Sequence, residues 1–292
     1  MNILIPPVIK SNYEGYKFFI KLYYSLHNYQ EKNYRINFEQ TRIFEANLSA
    51  ILRAINDTGR EKGKNIKIIN AKNTVKDHFI LNGFFENKNQ IRESYSASMV
   101  IPFNKFTPFQ DIEFMRYVGD KILSNPNFPE HSNMLNKKIN TSIFELFENA
   151  RTHGNCKSIY TCGQITKDIE NARLDFTIVD MGKTIKNNVN EYLGKELNGT
   201  NAISWAMESG HTTKTGNVSG GLGLDIIFEF IRLNKGKIQI VSSDGYWEFS
   251  NNEVIEKEFE EPFLGTIANI EVNLNDKSKY KLKEEISLKD IF

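Results

Sequence analysis

Apolar residues recur at three- and four-residue spacing in some segments of the chain and at alternate positions in others. The first spacing predicts helices, and the second predicts half-buried strands. Over residues 1–95 these patterns predict helix, strand, helix, strand and helix, an order typical of a small α/β unit. The segments are NYEGYKFFIKLYYSLHNYQ, YRINF, IFEANLSAILRAINDTGREKG, NIKIINA and TVKDHFILNGF.

A second unit is predicted after the polar stretch ENKNQIRESYSAS, which we interpret as a domain boundary. Helices are predicted over 109–123 and, after a break at SNPNFPEHSN, through residue 153. Region 182–223 is rich in glycine and small polar residues and predicts a loop with one helical patch, AISWAME. The predicted domains are 1–95, 105–275 and a charged, solvated tail at 276–292. The remaining segments are the strands SIYTCGQI, ARLDFTIVD, GKIQIVSS, GYWEFS and GTIANIEVNL and the helix LGLDIIFEFIRLN.

The helix that ends near residue 153 has a polar stripe beside an apolar one. Glu145, Asn149 and His153 are spaced by four residues and therefore share one face. This arrangement suits the wall of a functional site, and it equally suits an ordinary surface helix. The neighbouring apolar stripe consists of Ile143, Leu146, Phe147 and Ala150.

Composition and charge narrow the classes of function. Of the 292 residues, 40% are hydrophobic and 25% charged, as in globular proteins. The 37 basic and 36 acidic residues predict neither a nucleic-acid nor an acidic-membrane partner. Two cysteines predict no disulfide framework, and no apolar run is long enough to span a bilayer. The start MNILIPPVIK lacks the basic segment of a signal peptide, so we expect a cytoplasmic protein.

Four motifs follow one another in the second unit: ELFENARTH, IVDMGK, GGLGLDII and a strand that begins with GT. Their order resembles the GHKL superfamily of ATPases and kinases over roughly residues 105–275. Within that superfamily, AISWAMESGHTTK and GGLGL look most similar to anti-sigma-factor kinases and histidine kinases. The resemblance implies an α/β sandwich, a mixed sheet covered by helices, that binds ATP and Mg²⁺.

The resemblance also implies roles for the residues that match the first two motifs. Asn149 would bind Mg²⁺, and Glu145 one turn earlier would be the general base. Asp180 would accept a hydrogen bond from the adenine amino group, while Gly182 would let the backbone approach the base. Thr184 stands where the family usually has a second glycine, which changes the expected start of the lid. Taken singly, these positions also fit a solvated helix face and an acidic turn.

The later motifs imply the phosphate side of the site. Gly220, Gly221 and Gly223 precede a helix, where glycines and free N–H groups favour phosphate, and Lys214 lies in a predicted lid. Thr266 would support the adenine pocket. The ordinary alternatives are a structural glycine turn, a solvated lysine and a β-strand threonine. The Walker sequence of P-loop proteins is absent from the chain.

Other chemistries are less well supported by the sequence. His153, Cys156 and Cys162 could be imagined as zinc ligands, but they form no paired CxxC motif. A sensor histidine kinase would need a phosphoaccepting histidine on a helical hairpin. His131 lies in a broken segment, and His27 and His78 lack the usual flanking pattern. No Ser–His–Asp arrangement stands out.

The first unit resembles a STAS domain, the fold of anti-sigma-factor antagonists, through INFEQTRIFEANLSAILRAI followed by KNIKIINA. The turn that carries the phosphoacceptor in those proteins here reads FEAN, which leaves only Thr41 and Ser49 nearby. This resemblance implies intramolecular regulation and a regulatory protein partner, and it leaves a homodimer open.

The expected function is therefore an ATP·Mg²⁺-binding regulatory switch with slow ATPase or serine/threonine protein kinase activity. The alternative is a non-catalytic module that binds an adenine nucleotide and presents a partner surface. Glu145 favours an enzyme because binding alone requires no base at that position. Thr184 favours the binding module.

Overall fold

The computed structural model describes residues 1–28, 30–85, 100–208 and 224–285, in which helices and strands form a mixed α/β fold. This confirms the predicted α/β class. No helix in these ranges combines the length and the apolar character needed to cross a membrane. The strands are β1 (Asn2–Leu4), β2 (Val8–Ile9), β3 (Asn33–Asn37), β4 (Ile43–Phe44), β5 (Asn65–Ile69), β6 (Val100–Phe106), β7 (Ile159–Thr166), β8 (Arg173–Asp180), β9 (Lys237–Ser250) and β10 (Glu253–Asn273). The α-helices are α1 (Tyr13–His27), α2 (Ser49–Glu61), α3 (Asn73–Leu81), α4 (Asp111–Val118), α5 (Asn133–Thr152), α6 (Ile185–Leu193), α7 (Gly199–Met207) and α8 (Asp225–Asn234).

The N-terminal unit, residues 1–85, contains a parallel sheet in the order β1–β3–β5 and a short parallel pair, β2–β4. Helix α1 begins where the Asn12 side chain accepts the N–H of Gly15, a standard N-cap bond. Helix α2 buries its apolar face, and Gly63 follows it with a positive φ of 77°. The predicted order of helix, strand, helix, strand and helix is confirmed in this unit, but β1, β2 and β4 were not predicted. The helix predicted from Ile43 begins only at Ser49, because Ile43 and Phe44 pair with β2 as strand β4.

The second unit is built on an antiparallel sheet in the order β6–β7–β8–β10–β9. Side chains alternate between its two faces along each strand. Leu174, Phe176 and Ile178 of β8 point to the face covered by α4, α5 and α8, where they join one apolar core. The predicted alternation of β8 is therefore confirmed, although both of its faces are buried.

The N-terminal unit covers the opposite face of this sheet. Val179, Ile267 and Val241 are cross-strand neighbours on that face and share a core with apolar residues of α1 and α2. One row further along, Asn47 donates hydrogen bonds to Thr177 Oγ1 (2.9 Å) and Asn269 Oδ1 (3.1 Å). The two predicted units are thus joined by a continuous interface that is partly apolar and partly hydrogen-bonded.

Several elements differ from the predictions. The helix predicted over 109–123 is α4 followed by a π-helical turn, Gly119–Leu123. Region 182–223 contains a helix that the sequence did not predict, α6, besides the expected α7. GKIQIVSS and GYWEFS belong to the single strand β9, and β10 begins well before GTIANIEVNL. Strand β6 was also not predicted.

The beginning of the predicted C-terminal tail is packed against the fold. Tyr280 is 8% exposed, forms a parallel bridge with His131 and contacts the ring of Phe230. The prediction of a solvated tail is therefore wrong at Tyr280. Residues 286–292 and the whole polar boundary stretch, residues 86–98, lie outside the described residues.

Candidate functional site

Helix α5 presents the predicted polar stripe at one side of its buried face. It starts at Ser132, whose hydroxyl accepts the N–H of Leu135, a bond that caps the helix. Ile143, Phe147 and Ala150 are buried against the sheet. Glu145 and Asn149 are half-buried beside them, and His153 is the C-cap. The helical prediction for this stripe is confirmed.

Three polar residues form a row at the end of the sheet. Thr266 of β10 is the cross-strand partner of both Asp180 of β8 and Ser242 of β9. Their side chains face α5, because they alternate in phase with Ile178, Ala268 and Ile240 of the core beneath that helix. We call Asp180, Thr266 and Ser242 the polar row.

Asp180 is a buried carboxyl group with few partners. It is 4% exposed, and the removal of water raises its pKa to about 7. The Gly182 N–H donates to Asp180 Oδ1 at 2.8 Å and partly offsets that effect by stabilising the charged form. Among the described residues, no other hydrogen bond to this carboxyl is recorded. Asp180 can therefore accept a further hydrogen bond from a ligand.

Backbone contacts hold the end of α5 against the end of β8. A Cβ atom on Gly182 would lie 2.1 Å from the carbonyl oxygen of Gly154, so only glycine allows this approach. The Lys183 N–H donates to the same oxygen at 2.6 Å, and the Asn188 amide donates to the His153 carbonyl at 3.1 Å. Gly154 is itself bonded through its N–H to the Asn149 carbonyl at 2.9 Å. The two predicted motifs are therefore brought together through a few backbone contacts.

Thr184, the predicted departure from the family pattern, has a structural role. Its hydroxyl accepts the N–H of Asn187 at 3.2 Å and caps α6. The side chain is buried, at 4% exposure. A threonine in this position thus starts a helix directly after the Asp180 turn, which explains how α6 arises where a loop was predicted.

The remaining predicted phosphate-side residues lie outside the described residues: Lys214, Gly220, Gly221 and Gly223. Their predicted roles stay predictions. Sequence reasoning missed Ser242, because a serine near the end of a strand gives no signal of its own. Its place in the polar row depends on the register between β9 and β10.

The geometry contradicts the zinc alternative. Cys156 belongs to the core beneath α5, whereas Cys162 belongs to the core on the opposite face of the sheet. Burial raises the pKa of both thiols to about 12, which disfavours the thiolate that binds zinc. Within the ranges that the structure describes, no group of three or more histidine, cysteine or acidic residues could hold a metal ion.

The candidate phosphoacceptors are also poorly placed. Ser49 and Thr41 of the N-terminal unit are buried, at 0% and 4% exposure, and the Thr41 hydroxyl donates to the Ile5 carbonyl at 3.2 Å. Burial lowers the pKa of His27 and His78. His131 is held by Asn136, whose amide nitrogen lies 2.7 Å from Nε2. Because their hydroxyl groups are buried, Thr41 and Ser49 are not presented to a separate kinase site.

A cleft of about 350 Å³ lies elsewhere, between the segment before α5 and the end of β10. Phe128, Lys167 and Leu274 contribute to its lining, and none of the predicted site residues does. We therefore do not assign the predicted chemistry to this cleft.

No protein-family model matches the chain, and no curated protein matches it significantly.

Proposed function

We propose that the chain is a regulatory protein of the GHKL type that binds ATP and Mg²⁺ between α5 and the polar row. The observation that carries this proposal is Asp180: a buried carboxyl at a strand end, on the same sheet face as α5, with one oxygen left for a ligand. A carboxylate in such a place pairs with a donor such as the adenine amino group. Guanine offers a carbonyl oxygen there instead.

Residues of α5 would bind Mg²⁺ and provide the general base. Asn149 is half-buried one turn after Glu145. The backbone contacts between Gly154 and Gly182 hold this end of the helix beside the Asp180 turn. An amide oxygen suits Mg²⁺, whose other ligands come from phosphates and water. Mg²⁺ would neutralise phosphate charge, and Glu145 would orient and deprotonate water or an acceptor hydroxyl. This supports slow ATPase or serine/threonine kinase activity.

The resemblance also assigns Lys214 and the glycines at 220, 221 and 223 to the phosphates. Along the chain, this segment follows α7 and precedes α8. A glycine-rich segment between two helices is typical of a lid that closes over a nucleotide.

A non-catalytic nucleotide-binding module is the second candidate, and the cap at Thr184 favours it. Where the family pattern has a flexible glycine, this chain has a buried threonine that fixes the start of α6. A stiffer start of the lid would favour holding a nucleotide over repeated turnover. Both candidates require the same adenine pocket, so measurements of turnover distinguish them.

The N-terminal unit would supply regulation in either case. Three parallel strands with flanking helices are compatible with the STAS resemblance, and the unit packs on β8, the strand that ends in Asp180. A protein partner that loosens this packing would alter the nucleotide site through β8. Such control acts through the fold, since the candidate acceptors Thr41 and Ser49 are buried.

Isothermal titration calorimetry of the full chain tests the proposal. We expect ATP to bind in the presence of Mg²⁺, with weaker binding after EDTA is added and weaker binding of GTP under both conditions. Equal affinities for ATP and GTP would rule out the proposed pocket. Phosphate release and γ-phosphate transfer to candidate partner proteins then separate the enzyme from the binding module.

A further inference from the structure

The hydroxyl group of Ser242 has three close polar neighbours. Ser242 is fully buried, and its Oγ lies 2.9 Å from the carbonyl oxygen of Gly265, 2.9 Å from the backbone nitrogen of Ile185 and 3.0 Å from Thr266 Oγ1. These three atoms belong to β10 and to the first residue of α6. Ser242 thus connects the polar row to the helix that follows the Asp180 turn.

The directions of these three hydrogen bonds follow from valence. A hydroxyl group has one proton and two lone pairs. The Gly265 carbonyl can only accept, so Ser242 donates its proton to that oxygen. The Ile185 N–H can only donate, so it occupies one lone pair of Ser242. The second lone pair is left for Thr266, which therefore donates the third bond.

These bond directions limit the hydrogen bonds that Thr266 can form with other groups. Its single hydroxyl proton is directed at Ser242, so its oxygen can only accept from any other group. Thr266 is half-buried, and it is the cross-strand partner of Asp180 on the face toward α5. Cross-strand partners on one face have neighbouring side chains. The site therefore presents two acceptors side by side, a carboxyl and a hydroxyl oxygen.

We propose that Ser242 is a positioning residue that fixes Thr266 as an acceptor, so that the site selects purines with an amino group at position 6 and rejects those with a carbonyl. This inference rests on the proposed function and deepens it. Above pH 7, where Asp180 is ionised, two acceptors can share the protons of one amino group, whereas a carbonyl oxygen opposite them would meet only lone pairs. In the absence of Ser242, the Thr266 proton is free to turn toward a 6-carbonyl.

A purely structural role for Ser242 would give a different result. Ser242 also holds the first N–H of α6, so its loss is expected to lower stability whether or not it governs selectivity. The informative quantity is the ratio of the affinities for Mg·ATP and Mg·ITP, whose bases carry an amino group and a carbonyl at position 6. A general loss of stability lowers both affinities and leaves their ratio unchanged.

The experiment compares this ratio among variants of the full chain by calorimetry at pH 8, where Asp180 is mostly ionised. Wild type is expected to prefer ATP, and Ser242→Ala to reduce the ratio about tenfold, which corresponds to one neutral hydrogen bond. Ser242→Thr keeps a hydroxyl and should retain the wild-type ratio. Ser142→Ala is the matched control, because Ser142 is also buried and accepts the first-turn N–H of a helix, that of Ile227, at 3.2 Å. It should leave the ratio unchanged.

An unchanged ratio in folded Ser242→Ala would overturn the inference while leaving adenine binding intact. If Ser242→Ala does not fold, Thr266→Val and N6,N6-dimethyl-ATP provide the test. Thr266→Val should reduce the ATP/ITP ratio, and wild type should bind the dimethylated nucleotide more weakly than ATP. A wild-type ratio in Thr266→Val, or equal binding of the dimethylated nucleotide, would contradict the role of the two acceptors. Failure of wild type to bind ATP would overturn the proposed function and this inference with it.

Discussion

Asp175 and Asp180 lie on the same strand but, being an odd number of residues apart, face opposite sides of the sheet. Both are buried, and burial raises the pKa of each to about 7. Asp180 faces α5, whereas Asp175 faces the N-terminal unit beside Arg173 and the carboxylates of Glu45 and Glu271. At the scale of single residues, one strand thus carries a carboxyl group that is available to a ligand and one that belongs to an internal interface.

Replacing Asp175 should change how stability depends on pH. The pKa of Asp175 is about 7 in the folded chain against a reference value of 3.8, because burial and the nearby carboxylates of Glu271 and Glu45 outweigh Arg173. The folded state therefore binds more protons than the unfolded state between these values. Protonated Asp175 therefore contributes most to the free energy of unfolding below about pH 4, and this contribution is lost as the pH rises through 7.

Asp175→Asn removes this dependence. We measure the free energy of unfolding in urea at pH 5 and at pH 8. Between these values wild type should lose on the order of 2 kcal/mol more stability than the variant. Asp168→Asn, at an exposed position in the turn between β7 and β8, is the control and should behave like wild type. An identical pH dependence in wild type and Asp175→Asn would contradict the assignment of the raised pKa.

At the scale of elements, sequence patterns located the structures whose apolar positions are regularly spaced. Helices α1, α2, α5 and α8 and the alternation of β8 were predicted because each buries one continuous stripe or row. Helix α6 was missed because its start depends on the cap at Thr184 and few of its residues are apolar. The polar row could be predicted at Asp180 and Thr266 but not at Ser242, because strand register is set by tertiary pairing.

Two substitutions on α5 should separate binding from chemistry. Asn149→Ala should remove the Mg²⁺-dependent part of ATP affinity, since it removes the proposed metal ligand. Glu145→Ala should leave ATP bound but slow turnover by about 10²–10⁴-fold, the usual contribution of a general base. Calorimetry with and without EDTA, together with single-turnover phosphate release, measures the two effects.

Thr141→Ala provides the control on the same helix, because Thr141 is exposed. It should change neither quantity. If EDTA and Asn149→Ala both leave ATP affinity unchanged, the metal role is wrong. If wild type shows no turnover, alone or with partner proteins, and Glu145→Ala changes neither ATP affinity nor turnover, the protein is a binding module.

At the scale of the whole molecule, other elements cover both faces of the sheet. Helices α4, α5 and α8 cover one face, and the N-terminal unit covers the other with apolar contacts and the hydrogen bonds of Asn47. The two units were predicted from the sequence, but the interface between them was not. Alternation along β8 does not reveal which element covers its second face. The proposed nucleotide site and the proposed regulatory unit therefore lie on opposite faces of the same strands.

Removal of the N-terminal unit should therefore prevent stable folding. A chain that begins at residue 100 would expose the row of Val179, Ile267 and Val241 and would leave Thr177 and Asn269 without Asn47. We expect an aggregated or molten product by size-exclusion chromatography and near-ultraviolet circular dichroism. A folded, ATP-binding truncation would show instead that the unit is a detachable regulator.

The most direct test of the proposed adenine site compares Asp180→Asn with Asp175→Asn in ATP titrations of the full chain. Both variants replace a buried aspartate of β8 by its isosteric amide, but only Asp180 lies on the face toward α5. We predict that Asp180→Asn weakens ATP binding by about ten- to 100-fold, as expected for the loss of a hydrogen bond to a charged group. Asp175→Asn should bind ATP like wild type. Equal ATP affinity in wild type and folded Asp180→Asn, or an equal loss in both variants, would contradict the proposed site.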